Sequence, residues 1–229
     1  IYSRKRHHKI KTSYGTYKFD QKENCLKCPS SALAVLMFSL GTPIGNKCYK
    51  PYALPEWIFK ATLWQKRLFL AGLFGAELSS PKTMTGHGYN FYPPVLSMNK
   101  TLDTIVSGRR FLFGISNILE EFGVNTLKIS QRKEYTNKDG LTSYRLRLIL
   151  SNKTADLINL YGKVGFEYNE KRTYLANVAV GYLCLKESVL KEKREVAVLA
   201  PALHSSGEWD KSCLFDYLSS SPYITARFI

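Results

Sequence analysis

Hydrophobic and polar positions change period several times along the chain, and each change marks an element. Residues 9–19 alternate and are rich in Tyr and Thr, which predicts a strand or hairpin. Ser30 and Ser31 precede an apolar run ending at Leu40, so a serine-capped helix stopped by Gly41 is expected, followed by a turn at Pro43 and Gly45. Pro55 and Glu56 open a second helical stretch, because proline is tolerated in a first turn. A strongly apolar helix is expected over 63–78. Residues 95–98 read as extended, and Pro93 and Pro94 put that strand at a sheet edge or bulge. Thr101 then caps a long helix in which Leu102, Ile105, Phe111, Leu112, Ile115, Leu119 and Phe122 recur at helical spacing, and Gly123 ends it.

Two alternating stretches follow. Over 124–132, Asn125, Leu127 and Ile129 share one face while Thr126, Lys128, Ser130 and Arg132 share the other. After a turn at 137–140, residues 141–150 put Tyr144, Leu146, Leu148 and Leu150 on one face and Ser143, Arg145 and Arg147 on the other. The expected hairpin has an apolar side and a side of Lys, Arg, Ser and Thr. A basic, hydroxyl-rich sheet face suits a DNA major groove; an ordinary solvated face would show the same alternation. A short helix after Lys153 and an amphipathic one over 169–186 complete the pattern. From Lys191 the chain is charged and then loop-like, with a small helical appendage over 208–229.

Charge narrows the function classes. Thirty-three Lys and Arg against 18 Asp and Glu leave +15, spread along the chain instead of gathered in a tail. Such a field suits a polyanionic partner, since phosphate contacts release condensed counterions. No run of about 18 apolar residues occurs, so no spanning helix is expected, and no signal-peptide core follows the basic N-terminus. A cytoplasmic protein without a membrane partner is the expectation. The five cysteines are odd in number and unevenly spaced, which favours free thiols over a disulfide framework. Cys25 and Cys28 have knuckle spacing, but no second close pair completes four zinc ligands.

The stretch from Phe69 to Leu78 carries the candidate chemistry. Ala71, Gly72, Gly75 and Ala76 fall at i, i+1, i+4 and i+5, a nearly bare stripe that costs about 1 kcal/mol of helix propensity per glycine. It makes sense where two helix backbones approach closely. Glu77 stands at the helix's C-terminal end, the wrong end for an anion. A divalent metal bridging Glu77 and a phosphate would resolve that conflict. The bland reading is a structural carboxylate paired with a lysine.

This stretch resembles the LAGLIDADG motif of homing endonucleases. Leu70, Ala71, Gly72, Leu73 and Ala76 match, and Glu77 stands for the last acidic residue; Phe74, Gly75 and Leu78 depart from it. Leu54, Pro55, Glu56, Trp57 and Ile58 resemble the element before the second motif in inteins, and later elements agree in order as far as Leu185. The nearest likeness is to endonuclease domains of archaeal inteins, including those interrupting RNA-splicing ligases. The resemblance implies an α+β LAGLIDADG fold: pseudo-symmetric αββαββα repeats with concave antiparallel sheets. On that frame residues 1–63 are an incomplete first repeat, 64–190 the second repeat with its closing helices, and 191–229 a helical, DNA-binding extension. The first motif would precede Ile1, completing a monomeric pseudo-dimer. Neither an N-terminal Cys or Ser block nor a terminal His-Asn marks a splicing element.

The implied activity is site-specific, Mg²⁺-dependent cleavage of double-stranded DNA. Glu77 would be the metal-binding catalytic acid and Lys153 the active-site lysine. Thr126, Lys128, Ser130, Arg132, Arg145 and Arg147 would read the target, with Arg109 and Arg110 on its backbone. The alternative is a LAGLIDADG-fold nucleic-acid binder that has lost cleavage. A reading as part of a host ligase lacks the His and Cys cluster it would need.

Overall fold

The computed structural model describes residues 2–25, 27–136, 140–203 and 221–223. The chain forms two compact units, Ile1–Thr42 and Pro43–Ile229. It is an α+β protein with small antiparallel sheets. Among the described residues no helix is long and apolar enough to cross a membrane.

In the first unit the alternating Tyr- and Thr-rich segment is a long hairpin. β1 (Tyr2–Thr12) pairs antiparallel with β2 (Gly15–Cys25) without a break, from Tyr2↔Cys25 to Thr12↔Gly15. The helix α1 (Ser31–Ser39) starts where Ser30 accepts a hydrogen bond from the Leu33 N–H at 3.3 Å, a serine N-cap. Gly41 has φ +95°, the left-handed stop expected after it. None of the unit's described residues is buried, and α1 leaves Val35, Leu36, Met37 and Phe38 exposed.

The second unit holds the core. α2 (Glu56–Lys60) begins after Pro55. α3 (Leu63–Glu77) is started by a reciprocal Thr62–Gln65 capping box. Two short strands absent from the sequence pattern, β3 (Thr83–Met84) and β4 (His87–Phe91), follow as a bulged hairpin. β5 (Val95–Thr101) is an edge strand, as the prolines before it require. Thr101 does not cap the long helix. It ends β5, and a 3₁₀ turn over Leu102–Thr104 intervenes before α4 (Ile105–Glu121). β6 (Thr126–Thr136) and β7 (Thr142–Leu150) complete a sheet of order β5-β7-β6, antiparallel throughout. The turn residues 137–139 lie outside the described residues.

One side of this sheet is core. Leu96 of β5 and Leu146, Leu148 and Leu150 of β7 bury against Leu112, Ile115 and Leu119 of α4 and Leu70, Phe74 and Leu78 of α3. α4 lies so close that a Cβ on Gly108 would meet the Leu146 side chain at 2.7 Å. α5 (Thr154–Ile158) continues into a π turn (Asn159–Val164) closed by Gly165 at φ +72°. α6 (Glu170–Leu203) runs 34 residues, so the segment from Lys191 to Leu203 is helix and not loop. Its Lys, Glu, Arg, Leu and Ala content favours helix, which outweighs the loss of apolar periodicity. The expected appendage over 208–229 falls almost wholly outside the described residues.

Candidate functional site

The sheet's second side is open and basic. Pairing places Ser97 and Asn99 of β5 opposite Arg147 and Arg145 of β7, and these opposite Ser130 and Arg132 of β6. Lys128, opposite Ile149, extends the row. Arg147 is exposed, and Arg145 is held by Glu134 at 2.9 Å. Three strands at about 4.8 Å spacing make a strip about 10 Å across, narrow enough for a groove about 12 Å wide.

Thr126 does not belong to this row. The β6–β7 register slips between Thr126 and Lys128, so Thr126 pairs with Leu150 on the core side and its hydroxyl bonds Ser116 of α4. Strict alternation across Leu127 predicts the opposite; a bulge inserts one residue and inverts every face before it. Leu127, assigned to the apolar face, is exposed. Ser143 is buried and its hydroxyl meets the Cys48 thiol at 3.7 Å. Arg109 lies on the other side of the sheet, donating to Gln131 at 3.1 Å, and Arg110 is exposed on the same helix. Gln131 pairs with the buried Leu146, so these two arginines leave the open face. Ser97 lay inside the expected strand but carried no charge to mark it, and Asn99 fell beyond its expected end at Met98, although the alternation of the two was visible.

Glu77 closes α3 just before the chain joins β5. Leu78 bridges Leu96, and Ser79 N–H donates to Val95 O at 3.0 Å, so the end of α3 is drawn onto β5. Leu78 and Leu96 are both buried in the core, while Glu77, the last residue of α3, is exposed. The negative end of α3 is countered by Arg172, whose Nη1 donates to Phe74 O and Gly75 O at 2.8 Å each, with Asn169 adding a bond to Gly75 O. This cationic cap permits a carboxylate at the wrong end of a helix. Glu77 also meets a lysine, Lys47 Nζ, at 3.3 Å, with both side chains substantially exposed.

The residues around Lys47 are tightly built. Lys100 is fully buried, and its ammonium donates to Lys47 O at 2.7 Å and Lys50 O at 2.8 Å while lying 3.8 Å from the Tyr52 ring centre. Burial pulls its pKa down to about 8, the charge of Lys47 adding to the effect against an opposing influence of Cys48. Burial, and then the Glu77 charge, push the Tyr52 phenol up. No sequence signal marks Lys47, a loop residue 30 positions from Glu77.

The small-residue stripe divides. Ala71 and Gly75 are covered by this chain's own 165–169 turn: Glu167 N–H donates to Ala71 O at 2.9 Å, and a Cβ on Gly75 would come 1.9 Å from Glu167 O. A Cβ on Gly72 would find nothing within 4 Å, and Ala76 is exposed. A turn, and not a second helix, makes the close approach.

Lys153 N-caps α5 in a separate cleft of about 380 Å³ past the end of β7, lined by Tyr89, Asn90, Phe91 and Lys186 among others. Burial pushes the neighbouring Asp156 carboxyl up, but hydrogen bonds from Ser151 and Asn125 and the charge of Lys153 together hold it below its ordinary value. Among the described residues no group of three or more His, Cys, Asp or Glu forms a metal cage. Glu77 by itself offers the hard carboxylate oxygens that a divalent cation such as Mg²⁺ takes.

The whole chain is 33% identical over 232 residues to part of a tRNA-splicing ligase RtcB of Pyrococcus furiosus. It is 33% identical over 163 residues, 71% of its length, to part of the DNA-directed RNA polymerase subunit Rpo1N of Methanocaldococcus jannaschii. Over 178 residues, 74% of its length, it is 30% identical to part of the replication factor C small subunit of the same organism. The chain spans about a fifth of the ligase (22%), 12% of the polymerase subunit and 9% of the replication factor. No family model and no solved structure matches it.

Proposed function

We propose that this chain is the DNA-binding and DNA-cutting part of a LAGLIDADG-type homing endonuclease carried as an intein insertion in archaeal host proteins. The observation that carries the reading is the open basic sheet face together with the exposed Glu77, which ends the motif-bearing α3 where Leu78 bridges that sheet's strand β5. Its similarity to parts of three different proteins supports an inserted module: one segment recurring in a ligase, a polymerase subunit and a replication factor owes its sequence to none of their activities. An internal repeat supports the pseudo-symmetric architecture. The hairpin β1–β2, Lys27, α1 and Gly41 follow the same order as the hairpin β6–β7, Lys153, α5 with its π turn, and Gly165. By that correspondence the first unit is the later half of an upstream repeat. The open Gly72 and Ala76 side of α3 is where an upstream motif helix would pack.

In this reading Lys128, Arg132, Arg145 and Arg147 neutralise backbone phosphates while Ser97, Asn99 and Ser130 reach base edges. Hydrolysis forms a bond from a water oxygen to phosphorus and breaks one P–O bond of the strand. Glu77 would hold Mg²⁺, which would supply Lewis-acid stabilisation of the charge developing on the phosphoryl and leaving oxygens. Arg172 keeps the end of α3 compatible with that carboxylate. A second reading, a nucleic-acid binder without cleavage, is favoured by one observation: Glu77 is paired with Lys47 and, among the described residues, belongs to no acidic cluster.

The test is cleavage of a randomised double-stranded DNA library with Mg²⁺, comparing the parent with Glu77→Gln. Cuts that require both Mg²⁺ and Glu77 support the endonuclease. Salt-sensitive binding without cuts in either protein supports the binder and overturns the enzyme.

A further inference from the structure

The loop from Asn46 to Tyr52 is anchored more firmly than its surface position requires. Three carbonyl groups in it are engaged from the sheet and α4 side. Lys47 O and Lys50 O accept from the buried Lys100 ammonium, and between them Cys48 O accepts from Thr104 Oγ1 at 2.8 Å and from Thr101 N–H at 3.2 Å. Cys48 N–H donates to Asn46 Oδ1 at 3.0 Å. A lysine buried at the cost of desolvation is here directed at backbone oxygens and one aromatic ring, and its role is to hold chain. The anchored loop delivers two groups to one place. Lys47 sets its ammonium 3.3 Å from the Glu77 carboxylate, and Tyr52 senses the Glu77 charge.

We infer that Lys47, positioned by the Lys100-anchored loop, is a built-in counter-ion of Glu77 that a divalent cation must displace to bind there. The inference rests on the reading of Glu77 as a metal ligand and adds a residue to that site. Displacement involves no covalent step: the ammonium leaves the carboxylate and the divalent ion takes its place. The bare site is thereby kept electrically balanced, and weak for metal, until phosphate oxygens complete the cation's shell. An exposed pair of this kind shifts an equilibrium by up to about fivefold, and removing the adjacent positive charge relieves repulsion of the incoming ion as well.

The experiment titrates Mn²⁺ into the intact chain without DNA and follows loss of the free-ion EPR signal. Parent, Lys47→Gln, Lys47→Arg, Glu77→Gln and Lys163→Gln are compared; the last removes an exposed charge on the π turn as a control for net charge. Lys47→Gln is expected to bind Mn²⁺ about three- to tenfold more tightly than the parent. Lys47→Arg and Lys163→Gln are expected to match the parent, and Glu77→Gln to lose the site. If Glu77→Gln loses the site but Lys47→Gln leaves the affinity unchanged, or Lys163→Gln tightens it equally, the counter-ion role is overturned while the metal reading stands. If Glu77→Gln binds Mn²⁺ like the parent, both fall together.

Discussion

Gly75 and Gly72 lie one turn apart on the same helix, and the structure assigns them opposite consequences. A Cβ on Gly75 would stand 1.9 Å from Glu167 O, a backbone atom that must retreat by about 1.1 Å to reach even the closest tolerated contact of 3.0 Å. That retreat stretches the 2.9 Å bond from Glu167 N–H to Ala71 O beyond hydrogen-bonding range. It also strains the Arg67–Glu167 ion pair at 2.8 Å and the Arg172 and Asn169 bonds that cap α3. A neutral hydrogen bond contributes about 1 kcal/mol and one to a charged group about 1.5–3 kcal/mol. Against this, replacing a helical glycine by alanine gains about 1 kcal/mol. Gly75→Ala should therefore destabilise by about 2–4 kcal/mol, a fall of about 5–15 °C in Tm for a unit of this size. Gly72→Ala meets no neighbour and should stabilise this chain by about 0.5–1 kcal/mol. Thermal denaturation followed by circular dichroism measures both. A Gly75→Ala midpoint within about 2 °C of the parent, or an equal loss from Gly72→Ala, would refute the assignment of the two sides of α3. If an upstream motif helix packs on this side as proposed, Gly72→Ala in a longer chain that includes it should reverse its sign.

Three further outcomes follow from the same geometry. Lys66 is buried with its ammonium 2.7 and 2.8 Å from the two oxygens of Glu121, whose side chain is 40% exposed. Glu121→Ala leaves that charge unpaired and should cost about 1–3 kcal/mol in urea unfolding, discounted for water access, whereas the Lys66→Met/Glu121→Leu pair should cost less. Lys100 has a folded-state pKa near 8, below its ordinary 10.5, so the unfolded chain holds this proton more tightly. The penalty is full below pH 8 and relieved as pH rises toward 10.5. Parent stability relative to Lys100→Met should therefore climb across that window, and parallel Tm–pH curves would contradict it. Finally, Arg147→Ala should reduce the slope of log K against log salt for double-stranded DNA by about 0.9, and Arg109→Ala should leave it unchanged. Equal reductions in fluorescence anisotropy titrations would reject the choice of sheet face.

The content of each element was legible in the chain alone, because those signals are local. Ser30 caps α1, Gly41 and Gly123 take the left-handed stops, Pro93 and Pro94 precede an edge strand, and period-2 alternation separates Arg145 and Arg147 from Leu146, Leu148 and Leu150. The motif helix and the exposed acid at its end were legible for the same reason. Which residues meet depended on long-range packing. A bulge at Leu127 moved Thr126 to the core side, which strict alternation has no means to signal. The bare stripe on α3 accepts the Glu167 turn on one side and stays open on the other, since small residues announce close approach without naming the neighbour. Lys47 meets Glu77 from a loop held in part by a buried lysine 53 residues away, a long-range pairing with no periodic trace in the chain.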